Sequence, residues 1–475
     1  MIGVVPSRSR TKSWVVVVLV LLLAVVGSVS YLAWRQSVPG VRAVVTGPRA
    51  IGHKSTIPIV VEAARGQVAH VEARVVQGGK SATAFNQDGR LGARVEVPLA
   101  VDSAALGLRE GPATLEVWGR DDFWRPLRQR DRLVASIPLT VDLTPPRIDI
   151  VASTQYLAPG GVGVVVFRVA DAARSDVSVG AVPFPSFPAG SQERVALVAL
   201  PHDYAAGTPI KITARDEAGN VASRGIAAEI LPRRFRRDRI EIRDAFLELK
   251  VPELLPQRPP SQPLIDGFLV INRDLRRQAE EAKRAFAAKT SDKPLWEGPF
   301  VQPRNTKVFS NFAETRTYVY GGREIDTQVH LGFDLASTKQ APVPAANKGT
   351  VAFVGPLTIY GTTVVLDHGW GLMTLYAHLS SVAVKAGDAV DKGQELGRSG
   401  DTGLAVGDHL HYEVLVNGIS VTPIEWWDAK WIRDRFNGPL KTAGIAQIGG
   451  VGESSGTDES REAPARPRSR ARRAR

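Results

Sequence analysis

GDHLHYEVLV (407–416) sets two histidines one residue apart inside a stretch of strand-forming composition. In an extended chain alternate side chains share a face. His409 and His411 therefore project together, Glu413 follows on their side, and Leu410 turns inward. Upstream, HLGFD (330–334) holds His330 and Asp334 four residues apart, and LYAHL (375–379) holds His378. Two imidazoles on one strand face, met by a further histidine and a carboxylate, suit a tetrahedral divalent metal. Two histidines and one aspartate, with a fourth position left to water, form the pattern of a catalytic rather than a structural site. Such a set leaves two histidines beside the metal that need not bind it. His368 in LDHGWG (366–371) reads as a structural turn residue. Glu413 is read either as a support behind one ligand or as a buried carboxylate paired elsewhere.

These motifs carry a resemblance. From about Trp296 to Trp431, a little over a quarter of the chain, the sequence resembles lysostaphin/LytM-type zinc metallopeptidases, which cut the peptide cross-bridges of peptidoglycan. The resemblance rests on His330 and Asp334, on YAHL (376–379), on GRSGDTG (397–403) and on HLH (409–411), in that order. It implies Zn2+ as cofactor, held by His330, Asp334 and His411, with His378 and His409 as catalytic histidines. It also implies hydrolysis by metal-activated water, without a covalent intermediate. GRSGDTG is not a phosphate-binding loop, because no Gly-Lys-Ser/Thr and no helical pattern follow it. It reads as a tight turn beside the substrate groove.

Composition agrees with an envelope setting. The 475 residues carry a net charge of +12 and no cysteine. The length is enough for about three domains, and the absence of thiols fits an exported protein. The positive balance points to anionic surroundings such as headgroups or cell-wall polymer. No aromatic-interleaved nucleic-acid motif accompanies it, so no specific nucleic-acid partner is expected.

The chain opens with a basic segment (1–13), expected to be cytoplasmic. WVVVVLVLLLAVVGSVSYLAW (14–34) follows, long enough to cross a bilayer as one helix. Arg8, Arg10 and Lys12 before it favour a cytoplasmic N-terminus. The expected location is a single pass through the cytoplasmic (inner) membrane, with the remainder periplasmic or extracellular. A cleaved signal peptide, with Ser28-Val29-Ser30 as its site, is the rival.

Short alternating runs such as HVEARVV (70–76), ATLEVWG (113–119) and IKITARD (210–216) read as antiparallel sandwich material. They predict one β-sandwich module over 41–142 and a second over 143–232. Pro145-Pro146 mark the junction, because proline cannot sit inside a paired central strand. TPP at the start of the second module and DEAGN (216–220) near its end resemble bacterial immunoglobulin-like domains. Spacing the enzyme from the membrane is the plain role for both modules.

A basic and proline-rich linker (233–263) precedes an amphipathic helix (264–290). Phe268, Ile271, Leu275, Ala279, Ala282 and Phe286 form the apolar stripe of that helix, and Glu280 and Arg284 are spaced to pair. The metallopeptidase domain is expected over 296–435, with TYVYGGREIDTQ (317–328) as a hairpin on the groove wall. A disordered arginine-rich tail is expected over 443–475.

The expected fold class is mainly β: an antiparallel metallopeptidase sheet, two immunoglobulin-like sandwiches, a transmembrane helix and an amphipathic helix. The expected function is a membrane-anchored zinc endopeptidase acting on peptidoglycan, with cell-division or envelope proteins as further partners. Two rivals stand beside it. One is a catalytically silent adaptor that activates another cell-wall hydrolase. The other is a zinc peptidase acting on exported protein.

Overall fold

The computed structural model describes residues 10–127 and 130–449. The expected basic N-terminus up to residue 9 and the arginine-rich tail from residue 450 lie outside the described residues. Helix α1 (Arg10–Ser37) contains Trp14–Ser37, which is long and apolar enough to span a membrane, with none of its window buried. The rest of the chain is mostly antiparallel sheet. It divides into two compact units: residues up to 149 with 168–183 and 209–226, and residues 150–167 and 184–208 with those from 227 onward. The expected second module, 143–232, contributes to both.

In the first unit a three-stranded sheet (Val41–Val45, Lys54–Ala63, Arg94–Asp102) and a five-stranded sheet built on Val68–Gln77 and Gly111–Asp121 share one apolar core. Ile57, Ile59 and Val61 come from the first sheet and Val71, Ala73 and Val75 from the second. All six are buried, at the period of two that the sequence shows.

The second unit contains an eight-stranded antiparallel sheet among the described residues. Its main path runs Lys307–Ser310, Phe333–Ala336, Leu410–Val416, Leu372–Ala377, Thr362–Gly369, Gly349–Pro356 and Ala389–Val390, with Ile419–Val421 pairing on Leu410–Val416. Every residue of Leu410–Val416 is buried. The strand is covered on both faces, which explains its nearly continuous apolar run. The hairpin expected over 317–328 forms from Glu314–Tyr320 and Arg323–His330.

Ahead of the sheet, the structure departs from the expected linker. The basic stretch supplies a strand, Arg237–Glu241, that lies parallel to Glu314–Tyr320. Helix α2 (Asp244–Leu254) runs into the proline-rich stretch and contains Pro252. A proline this near the end of a helix costs one backbone hydrogen bond, and the burial of Leu247 and Val251 offsets it. The amphipathic segment forms α3 (Leu264–Val270), a π turn (Ile271–Leu275) and α4 (Arg276–Ala287). Glu280 pairs with Lys283 rather than with Arg284. Residues 443–449, expected to open the tail, are packed: Ile448 is buried, and its backbone exchanges two hydrogen bonds with Asn437.

Candidate metal centre

Strand register assembles the site. Phe333–Ala336 lies along one side of Leu410–Val416 and sets Asp334 opposite His411; Leu372–Ala377 lies along the other and sets Ala377 opposite His411. His378 is therefore the first residue past the strand that flanks His411. His330 ends the neighbouring hairpin. The chain then turns through Gly332, where a Cβ would stand 2.6 Å from His411 Nε2 and 2.7 Å from the Tyr412 carbonyl oxygen. No side chain fits there, so the glycine of HLGFD is what lets His330 and Asp334 close on His411.

The three side chains meet in a tight triangle. His330 Nε2 lies 2.9 Å from Asp334 Oδ1 and 3.0 Å from His411 Nδ1, and His411 Nδ1 lies 2.9 Å from Asp334 Oδ1. All three residues are buried. The outer nitrogens fix the inner ones. His330 Nδ1 faces the Asn311 carbonyl at 2.9 Å, and His411 Nε2 faces Glu413 Oε1 at 2.9 Å. A carbonyl and a carboxylate only accept, so in the neutral rings these nitrogens carry the protons.

His330 Nε2 and His411 Nδ1 then turn lone pairs toward each other and toward the carboxylate. Three acceptors converging without a donor repel, and a cation between them removes the conflict. The edges come close to the roughly 3.3 Å between donors around a tetrahedral zinc with 2.0–2.2 Å bonds. The donor set therefore fits a divalent metal.

Ionisation follows the same demand for positive charge. Burial alone would raise the Asp334 carboxyl, yet the His330 ring beside it, with His409 and His411 also facing it, holds it well below the usual carboxylate range. Burial lowers His330, and its aspartate neighbour reverses only part of that. His411 is also pushed down by burial, but the neighbouring carboxylates of Asp334 and Glu413 leave it raised. Arg316 Nη2 takes the second oxygen, Asp334 Oδ2, at 2.9 Å. Only Oδ1 is left to face the triangle.

His378 and His409 stand beside it, with ring centroids 4.8 Å apart. His378 Nδ1 donates to the Thr402 carbonyl at 2.8 Å, inside the expected tight turn, and His409 Nδ1 donates to the Gly407 carbonyl at 2.6 Å. In the neutral tautomer each ring therefore turns the lone pair of Nε2 outward. His409 Nε2 lies 3.6 Å from Asp334 Oδ1. Burial and the neighbouring His409 and His411 hold His378 well below its ordinary value, so it is neutral. Its backbone adopts φ 60°, a left-handed conformation that costs a non-glycine residue about 1–3 kcal/mol.

A cleft of about 850 Å³ opens over these residues. Its walls include Phe309 and Val406, which are exposed, and Ile240, Ile242 and Phe246 from the segment ahead of the sheet. His368 does not line it. That ring is fully buried, donating from Nδ1 to the Lys348 carbonyl at 2.6 Å and accepting at Nε2 from Thr374 Oγ1 at 2.8 Å.

Two groups around the triangle were not legible in the sequence. Arg316 needs the hairpin register to reach Asp334, and no local pattern announces it. Lys283 is fully buried, with its ammonium 2.9 Å from Glu413 Oε2. Its spacing from Ala279 and Ala287, both buried at four-residue steps, was the available signal.

Residues 328–423 match peptidase family M23. Peptidoglycan DD-endopeptidase ShyA of Vibrio cholerae is 37% identical over 119 residues, 25% of this chain and 27% of that protein. DD-carboxypeptidase/endopeptidase Mpg of Neisseria meningitidis serogroup B is 40% identical over 97 residues, 20% of this chain and 22% of that protein. The chain thus spans about a quarter of the length of these curated relatives. Among solved structures, the catalytic domain of the antimicrobial peptidase lysostaphin from Staphylococcus simulans is 29% identical. That match covers 26% of this chain and 92% of the solved domain, with a TM-score of 0.23. The C-terminal region of this chain, residues 328–423, is a peptidase family M23 domain.

Proposed function

We propose that this protein is a membrane-anchored zinc endopeptidase that hydrolyses peptide cross-links of peptidoglycan on the outer side of the cytoplasmic membrane. The observation that carries the reading is the convergence of two imidazole lone pairs and one carboxylate oxygen within 3.0 Å. His330, Asp334 and His411 would hold the metal. When bound, zinc supplies Lewis acidity, polarising a carbonyl oxygen and lowering the pKa of water.

The chain's own groups do the rest. His378 and His409 each offer an unprotonated Nε2 to the cleft, so one takes the proton of the attacking water. That proton then passes to the leaving amine nitrogen of the cut bond. The second ring, when it carries a proton taken from solvent, stabilises the oxyanion that develops on the scissile carbonyl. The carbonyls of Thr402 and Gly407 keep both rings in the required tautomer. Arg316 holds Asp334 so that a single oxygen is presented. Helix α1 would anchor the protein, and the sandwich modules would space the hydrolase from the bilayer. Relatives named as DD-endopeptidases support a D,D peptide bond as the one cut.

The test is digestion of purified sacculi by the detergent-solubilised protein, read by mass analysis of released muropeptides, with an exported glycine-rich protein digested in parallel. The reading expects muropeptide release that a chelator stops and zinc restores. A zinc-loaded protein inert on every sacculus preparation leaves the adaptor reading, and cleavage of the protein substrate alone leaves the exported-protein reading.

A further inference from the structure

Lys283 lies on α4, outside the residues that match the peptidase family, yet its side chain enters the peptidase core and is fully buried. Its Nζ stands 2.9 Å from Glu413 Oε2, 3.0 Å from Ser420 Oγ, 3.2 Å from Tyr360 Oη and 2.7 Å from Glu280 Oε1. A buried ammonium is tolerated only with such a complete set of partners. Glu413 is buried to the same degree and needs them in turn. Its Oε2 accepts from Lys283 and from Ser420 Oγ at 2.7 Å, and its Oε1 accepts from Tyr360 and from His411 Nε2. A continuous chain of charge-assisted hydrogen bonds therefore runs from α4 to the metal triangle.

The helix is also held at backbone distance. Gly418, at φ +76°, sits in the turn after Leu410–Val416, and a Cβ there would stand 2.6 Å from Arg284 Cα and 2.8 Å from Arg284 N. Charge and close packing thus tie α4 to the strand that carries His411.

We propose that Lys283 is a positioning residue for the metal centre. By neutralising Glu413 and fixing its two oxygens, it holds the His411 ring so that Nδ1 presents its lone pair. Helix α4 is on this account part of the hydrolase rather than a detachable arm. The inference rests on His411 being a metal ligand, as proposed above. Without Lys283, Glu413 is a buried carboxylate short of its ammonium. Its carboxylate is then free to turn toward another donor, which loosens the hold of Oε1 on His411 Nε2.

The experiment uses the full chain in detergent. Metal-free protein is titrated with Zn2+ against a chromogenic chelator, and the visible band of the Co2+-loaded protein is recorded. We expect wild type to take one metal per chain. In Lys283→Met the zinc dissociation constant should rise ten- to hundredfold, the range seen when groups behind metal ligands are removed, and the Co2+ band should shift. A Lys283→Met protein that melts earlier but keeps wild-type affinity and spectrum makes the lysine merely structural and overturns the inference.

Should that variant not fold, Gly418→Ala pushes on α4 without altering any polar group of the network. At least a threefold loss of zinc affinity is then expected, and wild-type affinity overturns the inference. Failure of the wild type itself to take up zinc would instead remove the metal reading, and this inference would fall with it.

Discussion

His411 and His409 stand two residues apart on one face of one chain segment, and their surroundings are opposite. His411 lies within a strand, its outer nitrogen tied to a buried carboxylate that is itself tied to a buried ammonium. His409 lies one residue before that strand, at an isolated bridge to Gly400, its outer nitrogen tied only to the Gly407 carbonyl. Rigid charged backing suits a ring that must keep a fixed direction toward a cation. A single carbonyl on a loop suits a ring that gains and loses a proton while keeping its tautomer. On the proposed reading, the same residue type at a spacing of two takes two roles according to what lies behind it.

The largest effects should come from the triangle. His330→Ala, Asp334→Ala or His411→Ala each removes one of three converging donors. We expect loss of bound zinc and a fall in sacculus hydrolysis of about a thousandfold or more, because several kcal/mol of metal chemistry are lost. Metal analysis of the purified variants checks this, and one full equivalent of zinc in any of them would break the ligand assignment. His378→Ala and His409→Ala should separate from these three. Each should keep its zinc and lose about 10²–10⁴-fold in kcat. A variant with full turnover would strike that ring from the mechanism. His378 also sits in a left-handed backbone conformation, which asparagine accepts more readily than alanine. His378→Asn should therefore hold stability better than His378→Ala while being equally inactive.

The part of this comparison that depends on strand alternation was legible in the sequence. HLHYE announces its own face, and the sheet sets its strand between those that carry or adjoin HLGFD and YAHL. What was not legible depends on distant backbone. Thr402 and Gly407 act through carbonyl oxygens, which any residue would supply. Arg316 reaches Asp334 only because the hairpin register sets it there, and Lys283 looks in sequence like one more surface charge on a polar helix. The expected linker folds for a related reason. Prolines argue against helix one position at a time, whereas burial of Leu247 and Val251 against the C-terminal sheet decides the matter collectively.

A smaller effect is expected on the Asp334 side of the triangle. Arg316→Met keeps most of the side chain's length and removes the donor to Oδ2. Asp334 would then be free to turn, and we expect zinc affinity to fall about tenfold with kcat of the loaded enzyme nearly unchanged. A wild-type affinity would show that the strand register alone aims the aspartate.

The smallest effect on turnover, and the sharpest contrast with the site, belongs to His368. It is a fully buried histidine of the same sheet whose nitrogens are satisfied by Lys348 and Thr374. Burial pushes it down from 6.5 to about 4, with the Lys348 carbonyl reversing only part of the shift. The folded protein therefore binds this proton less readily than the unfolded chain does. Its contribution to stability is complete above about pH 6.5 and is lost as the pH falls toward 4. Over that window the loss amounts to about 3 kcal/mol at most. Thermal melts of wild type and His368→Gln across pH 4–7 isolate the term, since other titrating groups are common to both. Wild type should lose more stability than the variant on acidification, although its activity at neutral pH owes nothing to this proton. Parallel pH profiles would mean that the ring is charged in the fold. In that case Thr374 Oγ1 would accept from the ring and give its own proton to Tyr376 Oη, 3.0 Å away.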